Sequence, residues 1–342
     1  MRILHLYRPR LPDLRAQAIQ VVHTCHALAS RGHEVTLLAD CAPDFTGGPT
    51  EALASYGLDL PPRFLLKLAP TPWLPGAGLW FRANVRLWCA RPGVVYARAK
   101  RYVRSIPARI PVVLEAHELD SALDRESGRP DAANRALEAA VYRRLAGLTT
   151  NCGATLECIR RDHPTLPPAR VVWNATRADR AIAGTGGQGL GVVGSAKDYK
   201  GSRQVLAAAG VPVTLVGSTE PISGVRTLPP VAYGEVPALL AGFDALLLPL
   251  LPNLFGTALT NPLKLWDYLA TDRPIVAPDL PTIREVVDTL CPGAVDLYDP
   301  LDLASVAPAV AAALARGRRT PVLRTWDQRA EEIEAFLQEV VG

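Results

Sequence analysis

The sequence predicts an α/β protein made of two doubly wound parallel-sheet domains in tandem. Short apolar strands alternate with helical segments, GTGGQG at 184–189 interrupts the alternation once, and the same alternation then restarts. With 342 residues, 49% of them hydrophobic, the chain has material for two ordinary cores.

RILHLY at 2–7 reads as a buried strand. Residues 16–30 repeat apolar side chains at helical spacing (Ile19, Val22, Ala27, Leu28) and stop at Gly32. EVTLLAD gives a second strand, followed by VVYA at 94–97, VVLEA at 112–116, a helix over about 132–145, and LTTN at 148–151. Such continuous apolar strands between helices imply a parallel sheet covered on both faces. The second series begins with GVVG at 191–194 and continues through VPVTLVG, DALLLPL and RPIVAPD. The expected domains are 1–175 and 176–324, joined near 174–189. GTGGQG matches G-x-G-x-x-G formally, but it precedes a strand. A dinucleotide fingerprint follows a strand and opens a helix, so this segment is a linker.

No run approaches the roughly 18 to 20 apolar residues needed to span a bilayer, and MRILHLYRPR is charged where a signal peptide is apolar, so a soluble cytoplasmic protein is expected. Six scattered cysteines without a C-x-x-C pair suggest reduced thiols rather than disulfides or a zinc site. His23, Cys25 and His26 share a helix, but no carboxylate converges on them and no metal is expected. Net charge is only +4, yet residues 1–175 hold 23 basic against 15 acidic residues, and the remainder 14 against 18. The first half should therefore prefer anions. Between residues 60 and 114 ten basic residues meet no acid.

The chemistry concentrates at 244–287. A buried strand ends at Pro249, a polar loop follows, and Pro262 opens a helix. Amides at that helix start, with Lys264 one turn inside, suit a phosphate, and Asp267 is placed to accept from ribose hydroxyls. Only five lysines occur among 37 basic residues, and Lys197, Lys200 and Lys264 fall in this block and the one after GVVG. His117 follows VVLEA, at the strand end where open α/β sheets bind ligands.

This block resembles the donor segment of family 4 glycosyltransferases of the GT-B fold, in the subset whose loop reads S-P-L-K-L-F-E-Y. The resemblance extends along the chain through RGHEV at 31–35, EAHEL at 115–119, VVWNA at 171–175, GSAKDYKG at 194–201 and TWDQRA at 325–330. It implies two Rossmann-like domains facing a central cleft, an acceptor domain at 1–175, a nucleotide-sugar domain at 176–324, and a final helix at about 325–342 that packs back on the first. It further implies sugar transfer from a nucleoside-diphosphate sugar with retention of configuration, no metal and no cofactor beyond that co-substrate.

Carried over by position, Asp267 stands where the family's second motif glutamate holds the ribose, and Leu259 replaces the first motif acid. Backbone amides around Thr260, Asn261 and Leu263 remain for the donor. Lys200 matches the lysine that pairs with the diphosphate. Ser195 replaces the usual arginine, with Lys197 or Lys264 supplying charge. His117 is expected at the transferred sugar, flanked by Glu115 and Glu118. The first-helix loop lacks the family's glycines, leaving Arg15, Ala16 and Gln17 to offer amides to the donor phosphate. On the acceptor side, Trp80 and Trp88 interleave with Arg82, Arg86 and Arg91 in a basic, apolar helix suited to an anionic or lipid-linked acceptor or to peripheral contact with the inner face of the membrane; nucleic acid is not expected. The rival readings are a nucleotide-sugar epimerase and a degenerate transferase that only binds.

Overall fold

The computed structural model describes residues 1–69, 77–91, 93–195 and 202–342. They fall into two compact units. Unit 1 comprises Met1–Asn151, Thr155–Trp173 and Trp326–Gly342, and unit 2 comprises Cys152–Ala154 and Asn174–Thr325.

Unit 1 holds eight strands: β1 (Arg2–Leu6), β2 (Arg10–Leu11), β3 (Glu34–Cys41), β4 (Phe64–Ala69), β5 (Val94–Ala97), β6 (Val112–Ala116), β7 (Gly147–Thr150) and β8 (Ala169–Val171). The order is β2-β3-β1-β5-β6-β7-β8, with β4 also paired to β3, and every pairing is parallel. Strand β1 lies between β3 and β5, so the winding reverses there. Ligands in open sheets bind at the carboxyl ends on either side of such a reversal. Here those ends lead into Tyr7 and Arg98. Helix Ala16–Ser30 leaves the β1 side, and helix Trp326–Val341 packs against it. Ile333, Phe336 and Leu337 of the latter are buried, and Glu334 pairs with Arg31 at 2.7 Å.

Unit 2 holds β9 (Leu190–Val193), β10 (Val213–Val216), β11 (Val225–Leu228), β12 (Ala245–Leu247), β13 (Ile275–Pro278) and β14 (Val295–Tyr298), ordered β11-β10-β9-β12-β13-β14 and all parallel. Its reversal lies between β9 and β12. Gly191 in β9 lies against the Phe243 ring, which a Cβ there would meet at 2.3 Å. Any larger residue would push the ring out of the core. Gly194, just after β9, has φ +114°, a conformation that favours glycine.

Several boundaries differ from expectation. The strand in DALLLPL ends at Leu247, two residues before Pro249. Pro262 is the N-cap, with an extended ψ of 128°, and helix Leu263–Leu269 begins after it. The helix expected to reach 145 stops at Tyr142. No helix among the described residues is long and apolar enough to cross a membrane.

Candidate functional site

In unit 1 the carboxyl ends of β1, β5 and β6 enclose a polar cluster centred on Glu115, which is 1% exposed. Its Oε1 accepts from Gln20 Nε2 at 2.7 Å, from His117 Nε2 at 2.9 Å, and from Arg329 Nη2. Arg329 comes from the last helix and is fully buried. Its remaining donors reach Thr24 Oγ1 at 2.7 Å and the Trp173 carbonyl at 3.1 Å. Burial alone would raise the Glu115 pKa, but the charges of Arg329 and Arg98 and the His117 contact hold it well below the ordinary carboxylate range. Glu115 is therefore ionised, and Arg329 is its counter-ion.

His117, with 11% of its side chain exposed, uses both ring nitrogens inside this cluster. Thr155 donates to Asn151 Oδ1 at 3.1 Å, which leaves Asn151 Nδ2 to donate to His117 Nδ1 at 3.2 Å. The ring proton then sits on Nε2 and goes to Glu115. Arg98 Nη1 approaches the same Nε2 at 3.0 Å. A protonated Nε2 donates to Glu115 and a bare one accepts from Arg98, so the two contacts are alternatives. Burial, then the Arg98 charge, lowers the His117 pKa to about 4. The imidazole is neutral at physiological pH. His5 on β1 is buried beside it, with its pKa lowered to about 3 by burial. Of the two glutamates expected to flank His117, Glu115 holds the ring. Glu118 is exposed, and its backbone carbonyl accepts from Lys100 at 3.0 Å.

At the start of helix Ala16–Ser30, Arg15 and Ala16 are exposed and Gln17 is half-buried. The Arg15 side chain pairs with Asp13 rather than standing free. His23 stacks on Trp326 with ring centroids 5.2 Å apart, whereas His26 pairs with Asp59 at 2.9 Å, so the two point to different partners.

Helix Ala77–Trp88 exposes Arg82 and Arg86, and Arg91 beyond it is also exposed. Trp80 is half-buried. Trp88, expected to offer apolar surface, is instead buried, with the Arg2 guanidinium 4.2 Å from its ring centroid. The exposed apolar positions are Leu79 and Leu87, at 73% and 68%. A tryptophan's large apolar area favours the core over the solvent face, and leucine takes the outer positions.

In unit 2 helix Leu263–Leu269 docks on the β9/β12 reversal. Tyr268 Oη accepts from the Val193 amide at 3.0 Å and donates to the Leu247 carbonyl at 3.3 Å, tying both strands to the helix. This puts Lys264 beside Gly194, where a Cβ would lie 3.4 Å from Nζ. Ser195 is exposed next to it. Lys197 and Lys200 lie outside the described residues. Thr260 and Asn261 are buried, and among the described residues no acceptor takes the amides of Thr260, Asn261 or Leu263. The Asn261 side chain is committed to structure: its Oδ1 accepts from the Asn174 amide at 2.9 Å and from Trp266 Nε1 at 2.7 Å. Leu259, at the missing acid, is buried.

Asp267 has partners within unit 2. It is 4% exposed, and its Oδ1 accepts from Thr176 Oγ1 at 3.2 Å and the Arg177 amide at 3.1 Å. Its Oδ2 pairs with Arg177 Nη2 at 2.9 Å. Arg177 in turn lies 4.2 Å over the Tyr233 ring. Oδ2 keeps one acceptor site, but it lies in a side chain that is almost fully buried. A carboxylate one methylene shorter than glutamate stays within reach of Arg177, which sequence reasoning did not anticipate. A separate cavity of about 560 Å³ at the ends of β13 and β14, lined in part by Thr257, Asp279 and Tyr298, contains none of the expected site residues.

Residues 17–180 match the sequence model of Glycosyltransferase Family 4. Among solved structures, sucrose-phosphate synthase from Thermosynechococcus elongatus is similar over 99% of both chains, with a TM-score of 0.68 and 12% identity. Anabaena HepE, solved with UDP and glucose, matches over 100% of this chain and 96% of its own, with a TM-score of 0.62 and 14% identity. WaaG, a glycosyltransferase involved in lipopolysaccharide biosynthesis, matches over 97% and 95%, with a TM-score of 0.63 and 15% identity. A search of curated protein sequences finds no match. The chain shares the GT-B fold of these solved structures, and its residues 17–180 match the Glycosyltransferase Family 4 model.

Proposed function

We propose that this protein transfers a sugar from a nucleoside-diphosphate sugar to an acceptor with retention of configuration, unit 2 binding the donor and unit 1 the acceptor. The observation that carries this reading is the Lys264 amino group beside Gly194 at the β9/β12 reversal, with the amides of Thr260, Asn261 and Leu263 close by in sequence. These groups supply the positive potential that a departing diphosphate needs, with Lys200 and Lys197 as further candidates from the resemblance. Fixed donors of this kind stabilise charge that grows in the transition state, so they raise turnover more than resting affinity. Metal-free catalysis follows from the same assignment. His117 is neutral and its two ring nitrogens are engaged by Glu115 and Asn151, so it would meet a sugar hydroxyl by exchanging one of these partners and not as a cationic acid.

Incubation with a panel of nucleotide sugars, with and without candidate acceptors, tests the reading through nucleoside diphosphate release and product anomeric configuration. Lys264→Ala should weaken nucleoside diphosphate binding by about 1 to 3 kcal/mol, as loss of a charge-assisted contact does. Unchanged affinity removes Lys264 from the site. The Asp267–Arg177 pair favours a second reading, a protein that binds without transferring, because it occupies the expected ribose acceptor. Tight nucleotide binding with no release from any donor would select it.

The outer positions of helix Ala77–Trp88 extend the proposal to an acceptor at an anionic membrane. Leu79 and Leu87 would enter the interface while Arg82, Arg86 and Arg91 meet headgroups. Each basic residue near such a surface contributes about 1 kcal/mol. Changing the three arginines to glutamine should abolish salt-sensitive sedimentation with anionic vesicles; failure of the unaltered protein to bind them removes this part of the proposal.

A further inference from the structure

The buried cluster of unit 1 has one cation more than its carboxylate can match. Glu115 is taken by Arg329, and both are fully buried. His5 and His117 are neutral. Arg98, directly after β5, is the unmatched group: no carboxylate lies within ion-pair distance of it among the described residues. Exposed Glu118 and the Asp13–Arg15 pair are nearby but make no hydrogen bond to it. Its Nη1 donates to Gln20 Oε1 and lies against His117 Nε2, whose proton goes to Glu115, and its guanidinium lies 5.6 Å over the Tyr7 ring.

What remains is one edge of the fork. Nε and Nη2 have no acceptor among the described residues, and neither is sealed from solvent. These two nitrogens present parallel N–H groups along the side of the guanidinium, the arrangement that takes a carboxylate or phosphate through two hydrogen bonds. Gln20 holds the other edge, and stacking on Tyr7 fixes the plane, so little ordering entropy is lost on binding. A half-buried guanidinium in this setting is worth far more to an anion than a solvated lysine, because surrounding protein excludes the water that would screen it.

We propose that Arg98 is the receptor for a compact oxyanion, a phosphate or carboxylate group carried by the acceptor, and that it sets acceptor specificity. This deepens the transferase reading and rests on unit 1 being the acceptor side. The oxyanion would sit at the carboxyl ends of β1 and β5, next to His117. It would complete the charge balance that Glu115 leaves unfinished.

The test is calorimetric titration of the whole protein with inorganic phosphate and, separately, succinate. A saturating mixture of UDP, GDP and ADP fills the donor side. The unaltered protein should bind one of the two oxyanions, which distinguishes phosphate from carboxylate. Arg98→Met should weaken that binding at least tenfold. Arg98→Lys should retain part of it, and nucleoside diphosphate affinity should be unchanged in both. A second measurement needs no variant: the bound oxyanion offsets the Arg98 charge, so the His117 ring resonances should shift and its pKa should rise. Equal binding by Arg98→Met, or no His117 shift in the unaltered protein, overturns the assignment. A protein that binds nucleoside diphosphate but neither oxyanion also overturns it and leaves the transferase reading standing. One that binds oxyanion through Arg98 but no nucleoside diphosphate supports the assignment and overturns the transferase reading.

Discussion

At the end of β6 in unit 1 a buried carboxylate, Glu115, faces two guanidiniums, whereas at the helix over the unit 2 reversal a buried carboxylate, Asp267, faces one. The second arrangement is neutral and satisfied, with Arg177 covering both carboxylate oxygens through its amide and side chain. The first is over-supplied with positive charge, and burial, with the arginine charges added, keeps two histidines deprotonated.

The comparison breaks most visibly at Arg329. Arg329→Met should destabilise the protein by about 3 to 5 kcal/mol, because it strands Glu115 as a buried charge. Adding Glu115→Gln should recover most of the loss in denaturant titration. If the single variant is as stable as the parent, Arg329 is not the counter-ion.

Asp267→Asn sharpens the other side. It leaves Arg177 buried without its carboxylate, and a loss of about 2 to 4 kcal/mol is expected. Nucleotide affinity per folded molecule should change little, since the carboxylate is already occupied. A large affinity loss without destabilisation would return Asp267 to the ribose.

Acid should also separate the units. The His5 and His117 pKa values are depressed to about 3 and about 4. Unfolding lets each histidine bind a proton that the folded protein refuses, so stability is present above the unfolded pKa of about 6.5 and is lost as pH falls toward the folded values. Glu115, also depressed, acts in the same direction at lower pH. Each histidine should cost about 2 kcal/mol between pH 7 and pH 5. His5→Phe should flatten the dependence of melting temperature on pH by that amount, and an unchanged slope would show that His5 does not titrate on unfolding.

The smallest effect is expected on the solvent face. Changing Arg82, Arg86 and Arg91 to glutamine should alter stability by less than about 0.5 kcal/mol, because exposed positions outside special features contribute little. A larger loss would mean that the arginines support the fold.

The parallel strands could be read from the sequence because burial on both faces makes them short apolar runs bounded by turns. Strands β2, β4, β8, β11 and β14 were not read from it. FLLKLA reads equally well as helix, and VRTL is too polar to distinguish from a loop. His117 stood out at a strand end where ligands bind, and the family resemblance, not that position alone, made it a site candidate. Arg329 was not, since its partner is 214 residues away and no local spacing connects them. The same distance problem hid Arg177, whose amide meets Asp267 across 90 positions. Trp88 followed its own apolar area into the core, against the basic context that suggested surface. Long-range charge pairing leaves no periodic trace.

The placement of helix Trp326–Val341 in unit 1 has a consequence for biosynthesis. A ribosome makes the unit 1 sheet first, then nearly all of unit 2, and only then the segment carrying Arg329. Until that segment emerges, Glu115 lacks the guanidinium that pairs with it and the face of helix Ala16–Ser30 that the segment covers is bare. Unit 2 can complete its fold while unit 1 waits, so the part of the protein synthesised first is finished last. A nascent chain stalled before residue 326 should accordingly be held by chaperones through unit 1 rather than through unit 2.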